Sequence, residues 1–478
     1  MGKRYFQCMG AERKYRNENG MDCLSFRIAD DNAAGISISL WIGRNAMMTT
    51  ALLLALLTGT VTGSGENMDL SGWVAMALDN SPAISSSEAS LLSAEASFAG
   101  AESFLYPSLT ATAGASRMWA DSWSEEYGVV KVENDRYSAG LTLSQELLQS
   151  GGQNWLYRSA SELTLLAVQA DHQSTVLEVM RSVADSYYSV LEALQLKCSA
   201  ETAHQRSLNQ LQRTEQLYAI GAVTTLDLLQ VQVQESADRL AVSRSSQRVL
   251  TAYTELYVAA GVDVAVCDLA IDTNAVLHPV SERAAESLSL DISRNPDLQA
   301  ARFREKAAEK RYTASGRSYW PSLRASAGWS WQDGTLNNID HMFDNDSYNV
   351  GLSLSWSIFD GFQRESGINS ARASHLSAAS ARESMENSLE ASVHSLKGNL
   401  LTDIQYYEDS KLMLEQAEER YRLSLSSYEI GALTLLELLD AQADLASAEA
   451  NLVTAGVNAL KTEASLLVQL GRPPRTGE

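Results

Sequence analysis

The chain contains two copies of one long unit. Residues 218–230, YAIGAVTTLDLLQ, return 210 positions later as YEIGALTLLELLD at 428–440. Upstream, YPSL at 106–109 returns as WPSL at 320–323, an offset of 214. Because the offset changes by only four residues along the chain, an internal duplication accounts for most of the 478 residues. A repeat of this kind constrains the architecture before any local pattern is considered.

The bulk composition is that of a folded, acidic protein. The formal net charge is −22, with 45% hydrophobic and 20% charged residues, which argues against a disordered chain. No basic stripe is visible, so nucleic acid is not expected as a partner. Beyond the N-terminal region there is no run of 18 apolar residues, and no transmembrane helix is predicted there.

The N-terminal region has the pattern of an export signal. Arg44 precedes an apolar segment at 47–61, and small residues follow up to a predicted cleavage point near Glu66. We therefore assign residues 1–65 to an N-terminal extension plus signal peptide. The long stretch before Arg44 is unusual for a signal peptide, and it indicates a translation start downstream of Met1. A genuine cytoplasmic extension is the alternative.

The residues that usually carry chemistry form no recognisable site. Cys198 and Cys267 follow the signal, and in an oxidising compartment they could form a disulfide. Two free thiols are an equally good interpretation, because Cys198 lies in a predicted helix and Cys267 in a later connector. The six histidines lack metal-ligand spacing, and no catalytic motif occurs. The sequence thus predicts no catalytic residue, no metal site and no cofactor, and we do not expect an enzyme.

Very long helices are predicted in two intervals of the chain that contain no proline. No proline occurs between 107 and 279 or between 321 and 473, and residues 153–220 also lack glycine. Proline interrupts helix interiors, so these intervals can hold helices of about 65 residues, or about 98 Å. Such helices need lateral neighbours along their whole length. The predicted helices are at about 150–218, 224–260, 362–428 and 434–470.

Four segments instead alternate apolar and polar residues. From Tyr348 to Ile358 the apolar residues occupy even positions and small or polar residues occupy odd positions. This pattern is typical of transmembrane barrel strands, although soluble half-buried strands alternate too. The export signal and the polar loops at about 120–136 and 333–347 favour the membrane interpretation. The predicted strands are at about 107–119, 136–147, 321–332 and 347–358.

Four strands in lipid cannot form a closed structure alone. Unpaired backbone groups at the sheet edges would each cost several kcal/mol, and closed bacterial barrels begin at about eight strands. Two copies would supply eight strands and three would supply twelve, and both are physically permitted. The predicted organisation is a first repeat at 66–262, a connector at 263–283, a second repeat at 284–471 and a tail at 472–478.

Several short motifs recur in a fixed order along the two copies. They are Asn295-Pro296 with Asn80 and Pro82 in the first copy, YPSL at 106–109 with WPSL at 320–323, SIFDG at 357–361, Tyr428-x-x-Gly431 followed by LxxLDAQ at 436–442, and Leu470-Gly471. Over about residues 69–471, the order, duplication and spacing of these motifs resemble the TolC family of outer-membrane efflux channels.

The resemblance implies a mixed α+β membrane fold in which each half runs long helix, β-hairpin, long helices. It implies a homotrimer in the lipid bilayer of the outer membrane, with a twelve-stranded β-barrel continuous with a periplasmic α-helical barrel. It also implies a passive exit duct for efflux or type I secretion. The implied partners are a periplasmic adaptor (membrane fusion) protein and an inner-membrane pump of RND or ABC type. Neither the cargo nor the pump class can be inferred from the sequence.

Two other functions deserve comparison. A periplasmic adaptor or scaffold protein also has long helical hairpins, but it should contain one hairpin flanked by lipoyl-like β halves. This chain has two strand-bearing repeats instead. An envelope-associated enzyme would need a cluster of titratable residues, and the sequence does not provide one.

The resemblance also implies that the helix tips dock the adaptor. The tip residues are Gly221, Ala222, Val223 and Thr224 in the first copy and Gly431, Ala432, Leu433 and Thr434 in the second. Some family members have an arginine, which helps to hold the entrance shut, at the place of Leu433. How the entrance is gated here is therefore an open question. Tyr218 and Tyr428 are equally well interpreted as gate-packing or as ordinary core residues.

Three acidic residues near the tips match an acidic periplasmic entrance in the family. They are Asp227, Glu437 and Asp440, and in three copies they would attract cations to a narrow mouth. Thr434 and Glu437 also fit a helix capping box, as do Thr224 and Asp227. Because Asp440 lies beyond the cap, it is the better candidate for the pore.

Overall fold

The computed structural model describes residues 13–16, 22–27, 37–42, 68–125, 127–263, 271, 281–334 and 346–475. The chain forms two compact units, Met1–Glu66 and Asn67–Glu478. In the first unit, strands β1 (Arg13–Arg16), β2 (Asp22–Arg27) and β3 (Ser37–Ile42) form an antiparallel sheet in that order. The predicted signal-peptide segment and Cys267 lie outside the described residues. The signal peptide and the cysteine pairing therefore stay predictions.

The second unit contains two matching sets of elements. The first set is α1 (Leu70–Asn80), α2 (Pro82–Glu102), β4 (Ser108–Ser124), β5 (Gly128–Leu148), α3 (Gln153–Ala219) and α4 (Thr225–Ala259). The second is α5 (Glu282–Glu286), α6 (Pro296–Gly316), β6 (Ser322–Asp333), β7 (Asp346–Ser355), α7 (Gln363–Glu429) and α8 (Leu435–Gln469). α3 and α7 have 67 residues each and begin 210 positions apart (363 − 153), and α4 and α8 have 35 each at the same offset (435 − 225).

The helix that precedes each hairpin begins at a proline. Pro82 and Pro296 occupy the first helical turn, where a missing backbone N–H removes no helical hydrogen bond. Asn295 caps α6, since its side-chain oxygen accepts from the Leu298 N–H at 3.0 Å. Its side-chain nitrogen donates to the Gln469 carbonyl, also at 3.0 Å. One residue therefore joins the start of α6 to the end of α8.

Two glycines make the same closure in both repeats. Gly261 and Gly471 follow the last helices at φ of +70° and +71°. A Cβ atom on Gly471 would lie 2.4 Å from the Arg294 carbonyl oxygen, and one on Gly261 would lie 2.7 Å from the Asn80 carbonyl oxygen. Glycine alone tolerates both this backbone conformation and this approach. The end of each repeat therefore packs against the turn in front of its own pre-hairpin helix.

The apolar core is concentrated near these closures. In the first repeat, α1, α3 and α4 bury a cluster that includes Trp73 and Leu256, joined by Ile271 from the connector. In the second repeat, Leu298 and Leu466 belong to the corresponding cluster. α3 packs laterally against α2, α4, α6 and α8, so the long helices do have neighbours. None of the described helices is both long and apolar enough to span a membrane.

The hairpins combine into one antiparallel sheet with the strand order β4-β5-β6-β7. The first hairpin corrects the prediction, because the segment 120–136, expected to be a polar loop, is mostly paired strand. β4 continues to Ser124, and Gly128 at φ +69° supplies a tight turn into β5. In this segment polar residues lie on both faces of the paired strands, so their polarity did not indicate a loop. Residues 335–345 of the second hairpin lie outside the described residues.

Candidate functional site

The sheet has one apolar face. Cross-strand pairing places Leu109, Leu143, Ala327 and Val350 in one row and Ala111, Leu141, Trp329 and Tyr348 in the next. These side chains do not pack into a core: Val350 is 89% exposed and Tyr348 is 75% exposed. Contiguous exposed apolar surface is rare on soluble monomers and marks a surface for protein or lipid. This face is suited to contact hydrocarbon.

The opposite face is small and polar. Its rows are Ser108, Ser144, Ser326 and Gly351, then Thr110, Thr142, Gly328 and Asn349, then Thr112, Gly140, Ser330 and Ser347. Hydroxyl contacts run across the rows, as in the 2.8 Å pair Ser108 Oγ–Ser144 Oγ and the 2.9 Å pair Ser330 Oγ–Ser347 Oγ. Such side chains are wetted readily and occupy little space, so this face is suited to an aqueous passage.

Both outer edges of this sheet are open. Among the described strands, β4 pairs only with β5, and β7 pairs only with β6. Each edge therefore presents a row of backbone N–H and C=O groups that can add another strand. An apolar face next to open edges demands a partner strand when the surroundings contain no water.

The two helix tips share one backbone design. Gly221 and Gly431 adopt φ of +73° and +74° after α3 and α7. The Ala222 N–H donates to the Leu217 carbonyl at 2.9 Å, and the Ala432 N–H donates to the Ser427 carbonyl at 2.8 Å. This is the Schellman arrangement, which satisfies the last carbonyls of each helix. The tips are thus rigid turns.

Each tip continues into a complete capping box. Thr224 accepts from the Asp227 N–H at 3.2 Å, and the Asp227 carboxylate accepts from the Thr224 N–H at 2.9 Å. Thr434 and Glu437 repeat this at 3.4 Å and 3.0 Å. Hydrogen bonds from the Thr434 backbone and hydroxyl hold the pKa of Glu437 below its ordinary value. Asp227 and Glu437 therefore both have the geometry of helix-capping residues.

The other predicted tip residues have distinct surroundings. Asp440 is exposed, one helical turn beyond Glu437. Tyr218 is 42% exposed, with its hydroxyl 3.5 Å from that of Thr225, while Tyr428 is half-buried. Val223 and Leu433 are both half-buried, and Leu433 lies beside a groove of about 620 Å³ that Leu412, Leu423 and Arg420 also line. Neither the gate-packing role of the tyrosines nor the pore role of Asp440 is tested by these positions.

Sequence reasoning missed a line of polar contacts between the two repeats, which we call the polar seam. It consists of Arg213–Glu429 at 2.7 Å, Arg206–Glu449 at 2.7 Å, and the Gln442 side chain donating to Ser207 Oγ at 3.0 Å. The signal was present as spacing, because Arg206 and Arg213 are seven residues apart, as are Gln442 and Glu449. Polar residues at heptad spacing lie on one face of a helix.

Within the described ranges, no group of three or more His, Cys, Asp or Glu side chains could hold a metal ion. Cys198 is exposed on α3.

Comparison with known proteins gives the family. A family model described as "Outer membrane efflux protein" matches residues 73–262 and 288–472, one stretch in each repeat. The Pseudomonas aeruginosa "Pyoverdine export outer membrane protein OpmQ" is 28% identical over 424 residues, covering 84% of this chain and 85% of the relative. "Outer membrane protein TolC" of Vibrio cholerae is 22% identical over 414 residues, covering 84% of this chain and 91% of the relative.

Solved structures agree on the fold. The structure of CusC has a TM-score of 0.75 at 18% identity and covers 87% of this chain and 96% of its own. That of VceC from Vibrio cholerae has a TM-score of 0.73 at 19% identity and covers 85% and 97%. The resemblance deduced from the motifs is confirmed, and the adaptor alternative is not favoured. The chain belongs to the outer membrane efflux protein family, and it is an exit duct for efflux in the outer membrane.

Proposed function

We propose that three copies of the chain join their open sheet edges into one twelve-stranded barrel. The observation that carries this proposal is a four-stranded sheet with one apolar face, one polar face and two unpaired edges. In lipid, each unpaired backbone group costs several kcal/mol. Pairing β4 of one copy with β7 of the next removes every edge, with the apolar face outward and the polar face lining the lumen.

The size of the polar side chains favours three copies over two. An eight-stranded barrel has an interior just wide enough for side chains to fill. The polar face here carries serine, threonine, glycine and a single asparagine in its central rows, and these side chains are too small to fill such an interior. Twelve strands leave an open lumen that small polar residues suit. The similarity to TolC-type channels points to the same number.

The helices continue this passage on the periplasmic side. α3 and α7 have 67 residues each, so each extends about 100 Å. α2, α3, α6 and α7 pack side by side in that order, and three copies would supply twelve such helices around one tunnel. The duct is passive, and it receives its cargo from an inner-membrane pump of RND or ABC type through a periplasmic adaptor.

The tips form the periplasmic end of the duct. Their rigid turns, Gly221–Thr224 and Gly431–Thr434, would give the adaptor a fixed docking geometry. Asp227 and Glu437 are engaged in capping boxes, whereas Asp440 is exposed one turn further on. Three copies of Asp440 would therefore supply a ring of carboxylates at the entrance and favour cations there.

Two adjacent residues on opposite faces test the barrel. Val350 lies on the apolar face and Asn349 on the polar face. An arginine on the lipid side costs about 2–4 kcal/mol near the bilayer midplane, so Val350→Arg should strongly reduce the protein recovered in the outer membrane. Asn349→Arg is the matched control, and it should insert normally as a trimer and change the conductance in planar bilayers.

Three results would contradict the proposal. They are equal recovery of both variants, a detergent-purified wild-type protein that is monomeric by native mass spectrometry, and the absence of conductance from wild-type protein in bilayers.

A further inference from the structure

The polar face of the sheet carries one cross-strand ion pair near the helices. Glu146 on β5 pairs with Arg324 on β6, and Arg324 Nη2 lies 2.5 Å from Glu146 Oε1. Both side chains reach solvent, at 57% exposure for Arg324 and 32% for Glu146. The pair lies two residues beyond the start of β6, at the end of the sheet that joins the helices.

A β-bulge follows Glu146 and ends the regular alternation of β5. The register pairs Glu146 with Arg324 and then Leu148 with Leu323, so Leu147 is an extra residue on β5. Bulges of this kind redirect side chains at the end of a ladder. Here the bulge leaves Glu146 on the polar face and returns Leu148 to the apolar face. Glu146 is thus the last polar-face residue of β5 before the helices begin.

No other charge lies on this face near the pair. From the level of Ser138 to the junction with the helices, the other polar-face positions of the four described strands are all Ser, Thr, Gly, Asn or Gln. The immediate neighbours of the pair along and across the strands are four serines, Ser144, Ser322, Ser326 and Ser353. If one partner of the pair is removed, the other has no charged residue among these strand neighbours to compensate it.

We propose that Glu146 and Arg324 neutralise each other so that the part of the barrel lumen between the level of Ser138 and the helices carries no net charge. This inference rests on the proposed function, in which the polar face lines the passage. Three copies would form a ring of three compensated pairs where the barrel meets the helical tunnel. The ring makes this part of the duct indifferent to the sign of a passing ion, and it leaves charge selection to the tips.

Reversal potentials in planar bilayers under a KCl gradient test the inference. In Glu146→Gln, three uncompensated arginines face the lumen, and the K⁺/Cl⁻ permeability ratio should fall by about twofold or more. In Arg324→Gln, three uncompensated carboxylates remain, and the ratio should rise by a comparable factor. The double variant Glu146→Gln/Arg324→Gln should return to the wild-type ratio. Half-exposed ion pairs contribute little to stability, so these variants should fold.

The chain offers a matched control on the other face. Arg117 and Asp135 also pair across two strands, with Nε and Oδ1 2.5 Å apart, but on the side that continues the apolar face. Asp135→Asn should keep the wild-type permeability ratio. If Glu146→Gln and Arg324→Gln both conduct with the wild-type ratio, the inference is wrong. If the wild-type protein forms no channel at all, the proposed function fails instead.

Discussion

The turn between α3 and α4 and the turn between α7 and α8 differ by one degree in the φ angle of their glycines, 73° at Gly221 and 74° at Gly431. Both end the preceding helix with the same pair of hydrogen bonds, and both begin the next with a threonine capping box. Their side chains have diverged much more. Asp440 of the second tip corresponds to Gln230 of the first, and Glu429 corresponds to Ala219.

This difference separates two requirements on the duplicated unit. Backbone turns at the tip must keep their geometry in both copies, because each tip reverses a helix pair of the same length. The side chains of the tips are freer to differ, and two acidic residues of the second tip, Glu429 and Asp440, have no acidic counterpart in the first. The comparison therefore assigns closure and turn geometry to both repeats, and under the proposed function it assigns the exposed entrance carboxylate, Asp440, to the second.

The largest effect is expected at the two closure glycines. Gly471→Ala places a Cβ atom 2.4 Å from the Arg294 carbonyl oxygen at positive φ, and Gly261→Ala does the same at 2.7 Å from that of Asn80. Left-handed strain and steric overlap together should cost about 2–5 kcal/mol in each case. Thermal unfolding of the purified protein measures the loss. Gly431→Ala, whose Cβ atom meets open space, is the control and should lose only about 1–2 kcal/mol.

If the repeats are equivalent, Gly261→Ala and Gly471→Ala should have similar melting temperatures. If the variant at either position has the melting temperature of the wild type, the contact at that glycine does not stabilise its repeat.

A smaller effect, on selectivity, is expected from exchanging charge between the tips. Asp440→Ala removes the exposed carboxylate of the second tip, and block of the channel by multivalent cations should weaken by about twofold to tenfold. Gln230→Asp adds a carboxylate at the corresponding position of the first tip. Block should strengthen if both tips line the entrance, and it should stay constant if only the second does. Unchanged selectivity in Asp440→Ala would remove Asp440 from the pore.

The smallest effect is expected at the capping boxes. Thr224→Ala and Thr434→Ala should each destabilise the protein by about 1 kcal/mol, because each removes the hydroxyl that accepts a helix N–H. The conservative variants Thr224→Ser and Thr434→Ser retain that hydroxyl and should restore most of the loss. An alanine variant with wild-type stability would show that its cap does not matter in the assembled protein.

The second capping box also predicts a pH dependence. Since folding lowers the pKa of Glu437, the unfolded chain takes up a proton more readily than the folded chain does. The stabilisation by this carboxylate is therefore present at neutral pH and is lost as the pH falls through the folded pKa. Glu437→Gln should show a smaller fall in melting temperature between about pH 7 and about pH 3 than the wild type does. An equal fall would contradict the assignment.

The long elements could be predicted because their signals are repeated over many residues. The proline-free intervals and the alternation from Tyr348 to Ile358 each extend over many residues, so no single residue decides them. The duplication also shows each pattern twice. The length of the first hairpin was harder to predict, because its paired strands extend beyond the apolar rows and there carry charged residues such as Arg117 and Asp135. These two residues pair with each other across the hairpin, a contact that the sequence alone does not define.

The site was predicted less completely than the fold. Capping boxes at the tips are local and could be read from Thr434 and Glu437. The polar seam and the Glu146–Arg324 pair join residues from different repeats, at a register that only the folded chain defines. Each polar residue alone looks like an ordinary solvated side chain, and the sequence signal was the heptad spacing of Arg206 and Arg213 and of Gln442 and Glu449.

The contacts of Gly261 with the backbone at Asn80 and of Gly471 with the backbone at Arg294 mean that each half of the molecule is a loop that returns to its own beginning. If the gene segment for one half were duplicated in tandem, the second half could fold back on its own start while the path of the first half stayed the same. Only a connector such as residues 263–283 would be needed. The same property guides protein engineering. A purification tag fused beyond residue 475 leaves the loop intact, whereas a truncation that removes Gly471 opens it.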